Sequence, residues 1–493
     1  MFEELTITRY HQMLRAGETT AEALTEWYLD RIAALSQSGP QLNAVTTVAE
    51  DALASARKLD ADYAAQGHFT GELHGVPVLV KDQAETAGLR TTFGSRLFEN
   101  YIPEADATIV TRLREAGAII LGKTTMCDFA AGWFSSSSMT EHTKTPYDLS
   151  RDSGGSSAGS GSAVGANLCL IAVGEDTGGS IRIPASFNNV VGLRPTTGLV
   201  PRTGFSPLVH FQDTPGPIAR TVEDAARLLD VLAGFDPADE YTSVSAGTET
   251  GRYAESLAEA EPLDEARLGV LASAFGPEDP DSSPVNQVIR TAVDTIRGAG
   301  AAITPGIEIE NLYGWIEETS VYTEISKHDL TRFLAARGHR GINSFEDVYN
   351  SGVFHRENDL FHDITGAADV PEENFAYLNG RMKQDALRRH ALTLMGRHKV
   401  DFLIYPSVQV PSPTHEELDA GKWTALTFPT NTVIGSQTSL PAISVPAGFT
   451  ETGLPVGLEI LGTPLGETKL LQLASQITAL LQARRTPQPE TVS

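Results

Sequence analysis

Along the first half of the chain the apolar positions alternate between helical and strand periods. Leu24, Tyr28, Ile32 and Leu35 recur at helical spacing behind Thr19-Thr20-Ala21-Glu22, which has the Thr/Glu spacing of a capping box. Residues 76–80 (VPVLV) form an apolar run with a proline near its start, which reads as a buried strand. Asp106 opens a helix with Ile109, Val110 and Leu113 on one face and Gly117 at its end, and 118–121 follows as a strand. Small residues fill 157–167 and predict a tightly packed helix. Residues 169–174 form another buried strand, and Thr221-Val222-Glu223-Asp224 opens a helix through Leu232.

The pattern changes after Phe235. Residues 236–266 are acidic and turn-rich. A strand at 268–271 and a helix at 285–296 follow, and 310–400 reads as helical with no strand alternation. Strands return at 402–405, 442–445 and 456–461, a closing amphipathic helix covers 469–481, and the tail 487–493 is expected to fray. No repeat of fixed period is present. Strands at both ends around a helical middle predict an α/β fold with one large sheet and an inserted helical layer. A length of 493 residues allows roughly three domains of ordinary size, but the strand pattern predicts a single domain over 1–493. Its core covers about 70–235 and 400–485, with a helical insertion at about 236–400.

Composition narrows the function classes. Hydrophobic residues are 41% and charged residues 20%, which is globular and not disordered. A formal charge of −26 weighs against a phosphate backbone or an anionic membrane, so neither nucleic acid nor membrane is expected as a partner. Cys127 and Cys169 are too few for a disulfide framework or a four-cysteine metal site. The start MFEEL has no basic n-region or apolar core, and runs such as 169–173 are too short to span a bilayer. A cytoplasmic protein is expected.

The chemistry concentrates in two Gly/Ser clusters, Ser153-Gly154-Gly155-Ser156-Ser157-Ala158-Gly159 and Gly174-Glu175-Asp176-Thr177-Gly178-Gly179-Ser180-Ile181-Arg182, which flank one buried strand. Successive glycine N–H groups make an anion-binding nest, and a serine at its edge suits acyl transfer. A flexible linker does not fit, because the clusters bracket strand-like sequence. A phosphate loop lacks its lysine. Residues 155–159 match G-x-S-x-G, but the residues before them are polar and no histidine of the twelve stands out as a base; His74 and His210 read as packing or pocket lining.

These residues resemble the amidase signature hydrolases. The resemblance is carried by 71–81 (GELHGVPVLVK), 154–157 (GGSS), 176–184, 192–196 (GLRPT), 213–220 (DTPGPIAR) and 440–461, in order along the chain. It implies a large mixed, twisted β-sheet covered by helices on both faces. It implies Ser180 as nucleophile, Ser156 as a bridging serine after a cis peptide bond, and Lys81 as general base. The N–H groups of Thr177, Gly178, Gly179 and Ser180 would form the oxyanion hole. Asp176 and Ser157 would hold the loops together, with Arg182 and Pro184 as scaffold. A homodimer is a family-level expectation. Physically, a serine needs a base, and a lysine serves only when burial keeps it neutral. Neither metal nor organic cofactor is implied.

The sequence departs from the family at two places. Position 175 is Glu where many relatives carry Thr, and position 158 is Ala where many carry Gly. Glu175 could pair with Arg182 or shape the site. Ala130, Ala131, Gly132 and Trp133 sit where relatives line the acyl pocket and predict a roomy, partly aromatic one. Trp315, Tyr322, Phe333 and Phe354 of the helical segment are candidates for leaving-group specificity. The reading is an amidohydrolase for a small-molecule amide, aryl amides included. One alternative is a carbamate (urethane) or ester hydrolase. Another is one subunit of an amidotransferase that acts on aminoacyl-tRNA with a partner chain.

Overall fold

The computed structural model describes residues 2–489. Among these residues the thirteen strands, in chain order, are β1 (Val45–Val48), β2 (Pro77–Lys81), β3 (Ile119–Thr124), β4 (Lys144–Thr145), β5 (Asp148–Asp152), β6 (Ile171–Glu175), β7 (Val191–Arg194), β8 (Pro215–Ala219), β9 (Arg267–Leu271), β10 (Ala302–Ile307), β11 (Phe402–Pro406), β12 (Ala442–Phe449) and β13 (Pro455–Leu461). Eleven of them form one sheet in the order β1-β3-β2-β6-β8-β7-β12-β13-β11-β9-β10; β4 and β5 make a separate ribbon. β3, β2 and β6 run parallel, as do β11, β9 and β10, while the middle of the sheet is antiparallel. Every residue of β2, β3, β6, β7, β8, β11 and β13 is buried. A strand buried at successive positions must be covered on both faces; Val222–Leu232 packs on the sheet together with Glu467–Leu481, and Ala158–Gly165 together with Arg182–Phe187.

Local chemistry explains the helix ends. Thr20, not Thr19, caps helix Ala21–Arg31, and the Asp60 carboxylate takes the N–H groups of Ala21 and Glu22. Thr221 caps Val222–Leu232. Asp106 does not cap helix Thr108–Glu115: its carboxylate is engaged by the Ala87 N–H and Arg114.

The region 236–400 is less uniformly helical than the pattern predicts. β9 and β10 lie inside it and join the main sheet at its end. β10 reads AITPGI and is half exposed, so it lacks the apolar run that betrays a central strand. The helical part runs from Leu312–Thr319 to Phe375–His398; its middle packs around a second, aromatic-rich core, and its first and last helices join a third core with β10 and β11. Pro487 and Pro489 are buried, and the last four positions of the predicted frayed tail lie outside the described residues. Cys127 and Cys169 are free and buried. Among the described residues no helix is long and apolar enough to cross a membrane.

Candidate active site

β2 and β6 are neighbours in parallel register, with Val78 opposite Ile171 and Val80 opposite Val173. Their C-terminal ends therefore bring Lys81 and Glu175 together. Lys81 Nζ donates to Ser156 Oγ at 2.8 Å and to the Glu175 carbonyl at 3.1 Å, and lies 3.3 Å from Glu175 Oε2. Both side chains are 0% exposed. Burial pulls the Lys81 ammonium below its ordinary value, against the opposing pull of Glu175. The Gly155–Ser156 peptide is cis. Ser157 joins the two Gly/Ser loops: its N–H donates to the Ser180 carbonyl at 3.1 Å, and its hydroxyl meets the Glu175 N–H and carbonyl at 3.1 Å each.

The loop 176–180 has its own anchors. The Asp176 carboxylate accepts the Ile181 N–H at 3.1 Å and both Nε and Nη2 of Arg182 at 3.1 Å, and Arg194 Nη1 reaches it at 3.0 Å. Burial alone would raise the Asp176 carboxyl, but the two guanidiniums outweigh it and hold it at about 2. Arg182 also bonds Glu459 and, at 2.7 Å, Ser436. The expected pairing of Glu175 with Arg182 is thus not made. Glu175 meets Lys81 instead, and Arg182 has its own carboxylates in Asp176 and Glu459. The N–H groups of Thr177, Gly178, Gly179 and Ser180 find no protein acceptor among the described residues, the condition for receiving an external anion.

Gly178 and Gly179 are required by close approach. A Cβ at Gly178 would stand 2.2 Å from both the Trp133 ring and the Tyr322 hydroxyl. One at Gly179, where φ is +152°, would stand 1.9 Å from Thr432 Oγ1. Gly178→Ala is expected to destabilise the fold by about 1–3 kcal/mol through overpacking. By displacing the loop it should also lower kcat about 10²-fold. Urea unfolding and steady-state rates check both.

Ser180 is 2% exposed and faces a small chamber walled by Ala130, Gly132, Trp133, Thr177, Tyr322 and Leu426. The predicted pocket is therefore aromatic but not roomy, since the chamber holds only about 10 Å³. Trp133 fills the space, held by its Nε1 donating to the Ala425 carbonyl. Ala131 is buried in the aromatic core and does not face the chamber, and Phe134 packs edge-on against Phe428. Beyond Trp133, Tyr322 and Leu426 opens a cavity of about 560 Å³, flanked by Tyr313, Glu317, Glu324 and Phe428. Among the described residues, no lysine, arginine or histidine lines either space.

Of the four aromatics singled out in the helical segment, Tyr322 reaches the chamber. Trp315 stacks on His390, Phe333 packs on Phe93, and Phe354 on Phe361. His74 is buried against Thr70 and Phe69, and His210 lies near Tyr241 and Asp329. Sequence reasoning missed Gln212, which donates to the Thr177 carbonyl at 2.6 Å, and Asp213, which accepts the Thr177 hydroxyl at 2.6 Å. It also missed Thr432, which donates to the Gly178 carbonyl at 2.8 Å. The family-like segment at 213–220 was a usable signal for Asp213; nothing local marked Thr432. Two metal-ligand groupings occur among the described residues, His142–Asp152–His415 and His142–Glu357–Asp419. Asp152 there is already engaged by Ser135 and the Gly154 N–H.

A buried lysine at the end of β2, a serine-bearing glycine loop after β6 and a second one after β5 define the class, and the known proteins agree. The family described as Amidase matches residues 23–471, and the chain belongs to this amidase-signature family of enzymes acting on amide C–N bonds. It is 34% identical to a glutamyl-tRNA(Gln) amidotransferase subunit of Trichormus variabilis, over 95% of this chain and 96% of that protein. Among solved structures it resembles the native peptide amidase of Stenotrophomonas maltophilia, with TM-score 0.84, 32% identity and 99% of each chain covered. It also resembles the corresponding glutamyl-tRNA(Gln) amidotransferase subunit of Thermotoga maritima, with TM-score 0.75, 27% identity and 99% and 98% covered.

These relatives correct one expectation. The expectation of a small-molecule substrate rested on the hydrolase reading, and the expectation of no nucleic acid on the net charge. Relatives spanning the whole chain are subunits of an enzyme named for a tRNA. The charge of one subunit describes only its own surface, and an assembly can present basic surface from another chain.

Proposed function

We propose that the chain breaks a carboxylic amide C–N bond through an acyl-enzyme on Ser180, with Ser156 and Lys81 as proton relay. The observation that carries this is the 2.8 Å contact between fully buried Lys81 Nζ and Ser156 Oγ, beside a loop of unpaired N–H groups. Neutral Lys81 draws the Ser180 proton through Ser156. Ser180 Oγ attacks the carbonyl, and the N–H groups of 177–180 hold the oxyanion. As the C–N bond breaks, Ser156 passes the proton from Lys81 to the leaving nitrogen. Water then removes the acyl group by the reverse relay.

The curated relatives favour the amidotransferase reading, in which the released nitrogen is handed on within an assembly that includes a partner chain and an aminoacyl-tRNA. A second reading, free hydrolysis of a peptide-like amide, is favoured by the cavity. It is apolar and acidic and offers no cation to a carboxylate-bearing amide donor such as free glutamine. The test is release of ammonia by the purified chain from a peptide amide and from glutamine, and of the arylamine from an anilide and an N-aryl carbamate. The same assay is then run with an amidotransferase partner chain and glutamyl-tRNA added. Cleavage by the chain alone supports the hydrolase, and cleavage that appears only with partner and tRNA supports the amidotransferase. No amide cleavage under either condition refutes the proposal.

A further inference from the structure

Glu175 stands where the relay above gives it no task, yet it is the ionisable group nearest the base. Its Oε2 is 3.3 Å from Lys81 Nζ, and its Oε1 lies 3.2 Å from the Thr177 hydroxyl and 3.3 Å from the Thr214 N–H. The same Thr177 hydroxyl is 2.6 Å from Asp213 Oδ1. A hydroxyl has one proton to give. Two carboxyls meet it, and the shorter contact goes to Asp213, which also accepts the N–H groups of Leu208 and Val209. Glu175 is left with the longer contact and turns its other oxygen to Lys81.

We propose that Glu175 is the positioning residue of Lys81, holding its amine against Ser156 and setting the pH at which that amine becomes free to accept the Ser180 proton. The proposal rests on the reading of Lys81 as base. Its logic is electrostatic. Burial favours the neutral amine and a carboxylate in contact favours the ammonium, so the two opposing effects poise the group. When the Ser180 proton reaches Lys81, the new positive charge forms beside an anion already in place. When the leaving nitrogen takes the proton, the charge disappears again, and Glu175 gains and loses nothing.

The other groups facing the pair do not substitute for it. Cys127 stays a thiol, its own titration pushed upward by burial. Asp213 is bonded to Thr177, Leu208 and Val209 and reaches Lys81 only through space. Arg194 reaches Glu175 only through space, being bonded to Asp176, Thr197 and Gln212. Asp176 is matched by Arg182 and Arg194.

The test is the pH dependence of acylation in Glu175→Gln. Removing the anion weakens the hold of Lys81 on its proton. The acid limb of kcat/KM is therefore expected to move to lower pH by about 1–3 units, with KM little changed. Glu175→Asp keeps the charge and should stay near the wild-type limb. Glu175→Thr is the second variant, and the rate of Ser180 labelling by a fluorophosphonate gives the same limb without turnover. A folded Gln or Thr variant whose limb superimposes on wild type overturns the proposal, and so does loss of folding in both, which would make Glu175 purely structural. Lys81→Met run alongside separates the two levels. If it labels at the wild-type rate, the base assignment itself fails; if it does not, an unmoved limb condemns only the role of Glu175.

Discussion

Ser180→Ala is expected to lower kcat/KM for amide cleavage by about 10⁴-fold or more, the scale seen when the nucleophile of an acyl-transfer triad is removed. The fold should be untouched. The Ser180 main chain is held by the Ser157 N–H at 3.1 Å, a bond alanine retains. The side chain faces the small chamber and makes no hydrogen bond recorded among the described residues. Its loss strands no buried partner, so the midpoint of urea unfolding should match wild type while the rate collapses. A variant losing both would point to a structural role for the hydroxyl.

Arg182→Ala is expected to produce the largest stability loss at the site, about 3–5 kcal/mol, the cost of breaking a buried charge network from one side. Arg182 is 0% exposed and is the cation that Asp176 and Glu459 share. Its removal leaves Asp176 to Arg194 alone and leaves Glu459 without a cation. The sign with pH follows from the two carboxyls. The folded Asp176 carboxyl is depressed to about 2, so its contribution is present above the ordinary Asp value near 4 and is lost as pH falls through about 2. Burial raises Glu459 to about 7, and removing Arg182 raises it further. Such a group destabilises the fold increasingly as pH rises above the ordinary Glu value. Both effects make the deficit smallest in acid: the Asp176 part is lost only below about pH 4 and the Glu459 part grows above about pH 7, so urea unfolding at pH 3, pH 5 and pH 8 measures them in turn.

How far the sequence could be read differs by element. β2, β6, β11 and β13 were legible because each is a short apolar run bounded by turn residues. β7 (VGLR) and β8 (PGPIA) escaped, since glycine, proline and a buried arginine break the run. Their membership is decided by neighbours: β8 lies between β6 and β7. β10 escaped for the opposite reason, as an edge strand it need not be apolar. At the site, Lys81, Ser156 and Ser180 stand out as candidates because each sits on a contiguous segment with its own local signal. The partner of Glu175 could not, because it is set by the parallel register of β2 against β6, which no local pattern encodes. The size of the chamber at Ser180 is decided in the same way: Ala130 and Gly132 line it, but Trp133 and Tyr322, brought from nearly two hundred residues apart, meet at it.

The central claim is that Ser180 carries the acyl group of the substrate. It is tested most directly by acid-quenching the protein during turnover of a cleavable amide and mapping the adduct by peptide mass spectrometry. The account predicts one acyl mass on the peptide containing Ser180, absent from Ser180→Ala and greatly diminished in Lys81→Met. An acyl group on another residue, or turnover that survives in Ser180→Ala, would contradict it.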